Sequence, residues 1–154
     1  MPDITVRVID VYPYRFVEQG AEFLLLQRAA DVAYAGTWRM VGGKIEPGET
    51  AWQAAVRELR EETGRTPRRL WALPSANVFY EWEHDRINVA PSFAAELDAD
   101  PVLDREHDAF VWLPVDEAVH RLAWPEQQRL ARLAYQLLRN GVPQELTILG
   151  PDTS

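Results

Sequence analysis

The sequence predicts an α/β or α+β sandwich built on a mixed sheet, because short β-branched runs are interleaved with helical stripes along the chain. Two further observations fit that class. The 154 residues are 47% apolar and 26% charged, enough to bury one core without help from a second domain. No repeat, low-complexity segment or long linker divides them, so a single domain over residues 1–154 is expected.

Residues Ile4 to Tyr14 alternate around Val6, Val8 and Val11, and Phe23-Leu24-Leu25-Leu26-Gln27 follows Gln19-Gly20. These runs predict two paired strands joined by a turn. Gly36 to Val41 then leads into Gly42-Gly43, where the backbone can approach a ligand closely. After the Pro47-Gly48 turn, Thr50 with Gln53 forms a capping-box signature, and Gly64 stands where a left-handed cap belongs. Between them a helix of about three turns is predicted. Its Trp52, Ala55, Val56 and Leu59 project as one narrow stripe toward a core, while Glu58, Glu61 and Glu62 gather elsewhere on the circumference.

Further strands are predicted at Leu70–Leu73, Ala76–Trp82, Ile87–Leu97 and Ala109–Leu113. Two helices follow, over Pro114–Leu122 and Pro125–Asn140. The second carries the stripe Leu130, Leu133, Ala134, Leu137 and Leu138 and is ended by Gly141. A loose tail is expected from about residue 142 to Ser154.

Composition excludes several functions. There are 24 Asp and Glu against 16 Lys and Arg, a formal charge of −8, and Lys44 is the single lysine. That balance lacks the basic footprint that duplex nucleic acid demands. Without cysteine there is no disulfide framework, thiolate nucleophile or Cys-bound zinc. The start, Met1-Pro2-Asp3-Ile4, lacks the basic and apolar regions of a signal peptide, and no run approaches the roughly 18 apolar residues of a membrane span. A cytoplasmic protein with no membrane partner is expected.

The most informative segment runs Gly43, five residues, Glu49, seven residues, Arg57-Glu58-Leu59, one residue, Glu61-Glu62, one residue, Gly64. Residues three or four apart on a helix are neighbours, so Glu58 stands beside Glu61 and Glu62, and Glu49 enters from the preceding loop. Many Glu-rich helices are solvated faces, and an Arg57 to Glu61 pair is available here. Yet uncompensated like charges cost about 0.2–0.5 kcal/mol per pair, and hard divalent cations prefer such oxygen ligands. Magnesium is usually held by one or two carboxylates, with substrate phosphates and waters completing its octahedron. Bound ions would also reverse the local sign, letting a chain of charge −8 hold a polyanion. Leu59 aside, the pattern fixes seven identities, and a random chain of this length would match on the order of one time in a million, which sets coincidence aside.

Gly43 to Arg65 resembles the Nudix box, the signature of hydrolases acting on nucleoside diphosphates linked to another group. Its final position, usually apolar, is Arg65 here. The resemblance implies a Nudix-type α/β/α sandwich with a mixed β-sheet and magnesium-dependent cleavage of a phosphoanhydride by water, with manganese as a substitute ion. It implies Glu58 and Glu62 as metal ligands, Glu61 as a further ligand or water organiser, Arg57 as the group orienting a carboxylate such as Glu49, and backbone at Gly43 helping to hold the ion.

Three stretches resemble bacterial dihydroneopterin triphosphate pyrophosphohydrolases of that family: Leu26-Gln27-Arg28, Gly48 to Ala51 with Gln53-Ala54-Ala55, and Glu106-His107 followed by Ala109, Phe110 and Trp112-Leu113. By this likeness Glu106 is a downstream metal ligand. Arg28 is a candidate for bidentate contact with phosphate oxygens, and Lys44 a candidate phosphate contact. His107 reads as a loop or supporting residue. The substrate class implied is a nucleoside or pterin triphosphate, with dinucleoside polyphosphates, nucleotide sugars or non-catalytic nucleotide sensing as rivals. Dimers are common among similar proteins, so a homodimer is an open expectation.

Overall fold

The computed structural model describes residues 1–151. Its strands are β1 (Asp3–Thr5), β2 (Val8–Val17), β3 (Gly20–Arg28), β4 (Trp38–Arg39), β5 (Val41–Lys44), β6 (Arg69–Glu81), β7 (Arg86–Glu96), β8 (His107–Pro114) and β9 (Thr147–Leu149). The helices are α1 (Ala51–Thr63), α2 (Val115–Arg121) and α3 (Pro125–Asn140). The strands form one mixed sheet with the central order β4-β3-β2-β7-β6-β9. In addition, β1 pairs with β7, β5 with β2 and β8 with β3. The β2–β7 and β1–β7 pairs are parallel and the others antiparallel.

Two apolar clusters lie on the two faces of this sheet. On one face Tyr12, Tyr14, Phe23, Leu25 and Trp71 pack with Val115, Val119, Leu130 and Ala134 of α2 and α3. On the other, Ile9, Val11, Leu24, Leu26 and Phe93 pack with Ala54, Ala55 and Leu59 of α1. Strict alternation along β2 sends Ile9 and Val11 to one side and Asp10, Tyr12 and Tyr14 to the other. Each fully buried large side chain in these layers contributes roughly 1.5–3 kcal/mol. The expected α/β/α sandwich is thus the architecture found. No helix among the described residues is long and apolar enough to cross a membrane.

Helix α1 begins as its sequence dictates. The Thr50 side chain accepts from the Gln53 backbone N–H, the Gln53 side chain accepts from the Thr50 backbone N–H, and Gly64 closes the helix at φ 68°. The core stripe is broader than the projection suggested: Ala54 and Thr63 are buried beside Ala55 and Leu59, whereas Trp52 and Val56 are only partly covered.

Three boundaries differ from expectation. The run from Ile4 to Tyr14 is two strands, because the chain from Thr5 to Asp10 is one residue longer than the facing stretch of β7 from Asn88 to Ser92. That extra residue is a bulge-like step that returns Asp10 to the face Thr5 occupies. The two strands expected at 70–73 and 76–82 are one strand, β6, whose register shifts between Ala72 and Ala76 around Pro74, which has no N–H to give a ladder. Finally, the chain beyond 142 is not loose throughout. A 3-10 turn at Gln144–Leu146 delivers β9 onto β6, with Leu149 opposite Leu70. Residues 152–154 of the expected tail lie outside the described residues.

Candidate active site

The acidic edge of α1 lies along β5, and the two glycines of β5 explain how closely. A Cβ added to Gly43 would overlap the Glu58 carboxylate, while the Gly42 N–H donates to Glu62 Oε2 at 3.3 Å. Glu58 and Glu62 stand one turn apart on α1, with side chains 15% and 9% exposed. Burial pushes both carboxyls above the usual carboxylate range, and the charge of Glu58 pushes Glu62 further. Two largely covered carboxyls one turn apart either share a proton or attract a cation.

Arg57 holds the other flank. Its Nε donates to Glu49 Oε2 at 2.6 Å, Nη2 donates to Glu49 Oε1 at 3.0 Å and to the Lys44 carbonyl at 2.8 Å, and Nη1 donates to Glu58 Oε1 at 2.9 Å. Glu61 lies 3.4 Å from Nη1 and is 56% exposed. The Arg57 hydrogen bond, followed by the Glu46 backbone N–H, holds the Glu49 carboxyl below its ordinary range, and Glu49 in turn raises Arg57 above its own. Arg57 therefore ties loop, strand and helix together, and Lys44 joins that arrangement through its carbonyl while its side chain is exposed.

Glu106 and Arg28 come together, with Glu106 Oε2 3.4 Å from Arg28 Nη1. The Glu106 carbonyl accepts from the Ala29 N–H at 2.8 Å, and its side chain is 54% exposed. The next residue, read from the sequence as a loop or supporting residue, lies against the acidic helix. His107 is buried, with Nδ1 2.7 Å from Asp104 Oδ1 and Nε2 3.6 Å from Glu62 Oε1.

A cleft of about 250 Å³ opens beside Glu62, lined by Asp10, Arg28, Arg39, Met40, Gly42, Gly43, His107 and Gln127 among others. Sequence reasoning missed Asp10, Arg39, Gln127 and Asn77, whose Nδ2 donates to Asp10 Oδ2 at 2.9 Å. Asp10 offered a signal, being the one carboxylate in a strand whose only other charged residue is Arg15. A larger groove of about 730 Å³ lies elsewhere beside Arg15, Arg68 and Arg69, but those guanidiniums pair with Glu22, Asp100 and Glu96.

The donor set fits a hard divalent cation. Among the described residues no three His, Asp or Glu side chains converge as a ready-made cage. What is present is a pair of carboxyls, one buried and one largely covered, against a glycine strand, the donor set magnesium takes when phosphates and waters supply the rest. Gly43→Ala tests the close approach. Its methyl would displace the end of a flexible side chain, so thermal unfolding should change little while turnover falls by about 10- to 100-fold. Unchanged turnover would show that Glu58 need not stand where it does.

The comparisons agree with this geometry. The family described as NUDIX domain matches residues 5–134. The CTP pyrophosphohydrolase of Escherichia coli is 35% identical over 131 residues, covering 84% of this chain and 93% of that protein. An asymmetrical bis(5'-nucleosyl)-tetraphosphatase of Caenorhabditis elegans is 30% identical, covering 84% of this chain and 94% of that one. The E. coli dihydroneopterin triphosphate pyrophosphohydrolase structure superposes with a TM-score of 0.68 at 26% identity, covering 88% of this chain and 96% of that one.

Proposed function

Since the chain belongs to the Nudix family and is a hydrolase of phosphoanhydride bonds in nucleotide-like substrates, we propose that it cleaves a nucleoside triphosphate-like molecule to the monophosphate and pyrophosphate. The observation that carries this reading is the Glu58–Glu62 pair, of which Glu62 is buried and lines a cleft that also holds Arg28 and Arg39. Nudix hydrolases generally use divalent metals such as magnesium. Here Glu58 and Glu62 would hold the ion, with backbone at Gly43 alongside and Glu106 reaching in from the β8 side.

When bound, such an ion supplies charge neutralisation for phosphate oxygens and acidifies water. The chain supplies the rest. Arg57 fixes Glu49 and Glu58 so that their carboxylates do not have to be ordered when substrate arrives. Arg28, 18% exposed and held by the Ala33 carbonyl at 3.1 Å, presents a guanidinium in the cleft wall for phosphate oxygens. Glu61, outside the buried pair and open to solvent, is the carboxylate best placed to take the proton from attacking water. Water oxygen bonds to phosphorus, the bridging P–O bond breaks, and pyrophosphate carries away the bonding electrons.

A magnesium-dependent hydrolysis screen with product analysis tests the reading over dihydroneopterin triphosphate, CTP, each dNTP, ADP-ribose and dinucleoside polyphosphates. Pyrophosphate release from one of the triphosphates is expected. A preference for dinucleoside polyphosphates, the substrates named for the Caenorhabditis elegans relative, would replace it with that second reading. Turnover of none of them would overturn both.

A further inference from the structure

One buried polar pair beside the acidic helix has no part in the hydrolytic steps. The His107 side chain is 1% exposed, although the run it belongs to, Asp104 to Asp108, is charged throughout its length. A step in register puts it inside. β8 pairs with β3 so that Ala109 faces Gln27 and His107 faces Arg28, which leaves Asp108 as one residue too many. A slip of one residue turns a side chain to the other face of a strand. Without the step, His107 would share the side of Val111 and Leu113, which pack with α2 and α3. With it, the ring turns to the side of Trp112 and of α1.

There the ring stands between two carboxyls. Nδ1 lies 2.7 Å from Asp104 Oδ1 and Nε2 lies 3.6 Å from Glu62 Oε1, while the Gly42 N–H donates to the other oxygen, Oε2, at 3.3 Å. A carboxylate only accepts, so Nδ1 carries the proton of the first contact and Asp104 fixes the orientation of the ring. Glu62 is thus met at one oxygen by backbone of β5 and at the other by a ring held in β8. A buried polar pair of this kind adds little to stability over apolar residues of similar volume, so its value lies in what it touches. We infer that Asp104 and His107 are positioning residues that act through Glu62: the ring steadies Oε1, and Asp104 steadies the ring. This rests on the proposed role of Glu62 as an ion ligand.

Manganese affinity of the substrate-free protein, read by electron paramagnetic resonance, tests the inference beside the thermal midpoint of the metal-free protein. Outer partners of ligating carboxylates are worth about 10- to 100-fold in metal affinity, and His107→Leu should lose that much with a midpoint within a few degrees of the parent's. His107→Gln, whose amide nitrogen can turn toward the same oxygen, should recover most of the loss. Asp104→Ala leaves the ring in place but unheld and should fall between them. Because the pair acts through Glu62, adding His107→Leu to Glu62→Gln should weaken binding no further. Parental affinity in His107→Leu, a glutamine variant as weak as the leucine one, or an equal loss with and without Glu62 would overturn the inference. Should His107→Leu unfold, Asp104→Ala decides, and parental affinity there overturns it. A parent that binds no manganese removes the ion from Glu62 and this inference with it, whereas variants that match a binding parent remove this inference alone.

Discussion

Glu62→Gln is expected to lose on the order of 10²–10⁴ in turnover while unfolding at a higher temperature than the parent. Both effects come from one cause. In the parent, Glu62 is buried against Glu58, and withdrawal from water together with the neighbouring charge holds its carboxyl far above the usual range. Glutamine keeps an oxygen for the Gly42 N–H and removes the like-charge contact, so the folded state gains. It also halves the negative charge available to a divalent ion. Glu58→Gln should behave in the same way. The decisive measurements are kcat/KM, manganese affinity by electron paramagnetic resonance, and the thermal midpoint. A turnover within tenfold of the parent, or a lower midpoint with full activity, would remove this helix from the chemistry.

The second large effect concerns stability against pH. Burial raises the Asp10 carboxyl from 3.8 to about 6, with the Asn77 amide and the charge of Arg39 opposing the shift. A folded-state value above the unfolded one means that the native state binds the extra proton between those limits, so stability falls as pH rises through them. Below about pH 4 both states are protonated and the group costs nothing. Above about pH 6 the native carboxylate is ionised in a buried site at a cost of about 3 kcal/mol. Asp10→Asn should therefore be more stable than the parent by that order at pH 7.5, with the difference disappearing near pH 4. Urea unfolding of both proteins at several pH values checks the prediction, and a difference independent of pH would contradict it.

Local signals were legible in the sequence. Thr50, Gln53 and Gly64 bounded α1 because capping chemistry acts within a few residues, and the glutamates were placed by helical spacing alone. Pairing across distance was not. Nothing in the alternation from Ile4 onward shows that Thr5 faces Asn88, or that one extra residue precedes Asp10. The Asp10–Asn77 bond joins positions 67 apart, and His107 sits in a charged run that looks solvated until β8 folds it beneath Glu62. The tail was misjudged for the same reason, since three residues of β9 gain their order only from the edge of β6.

Every side of the Arg57 guanidinium is already engaged, by Glu49, Glu58, Glu61 and the Lys44 carbonyl. It has no hand left to offer an incoming anion. Compounds designed to mimic the substrate would find no grip on this arginine, and their affinity must be sought in the cleft beside Glu62, from Arg28 and Arg39.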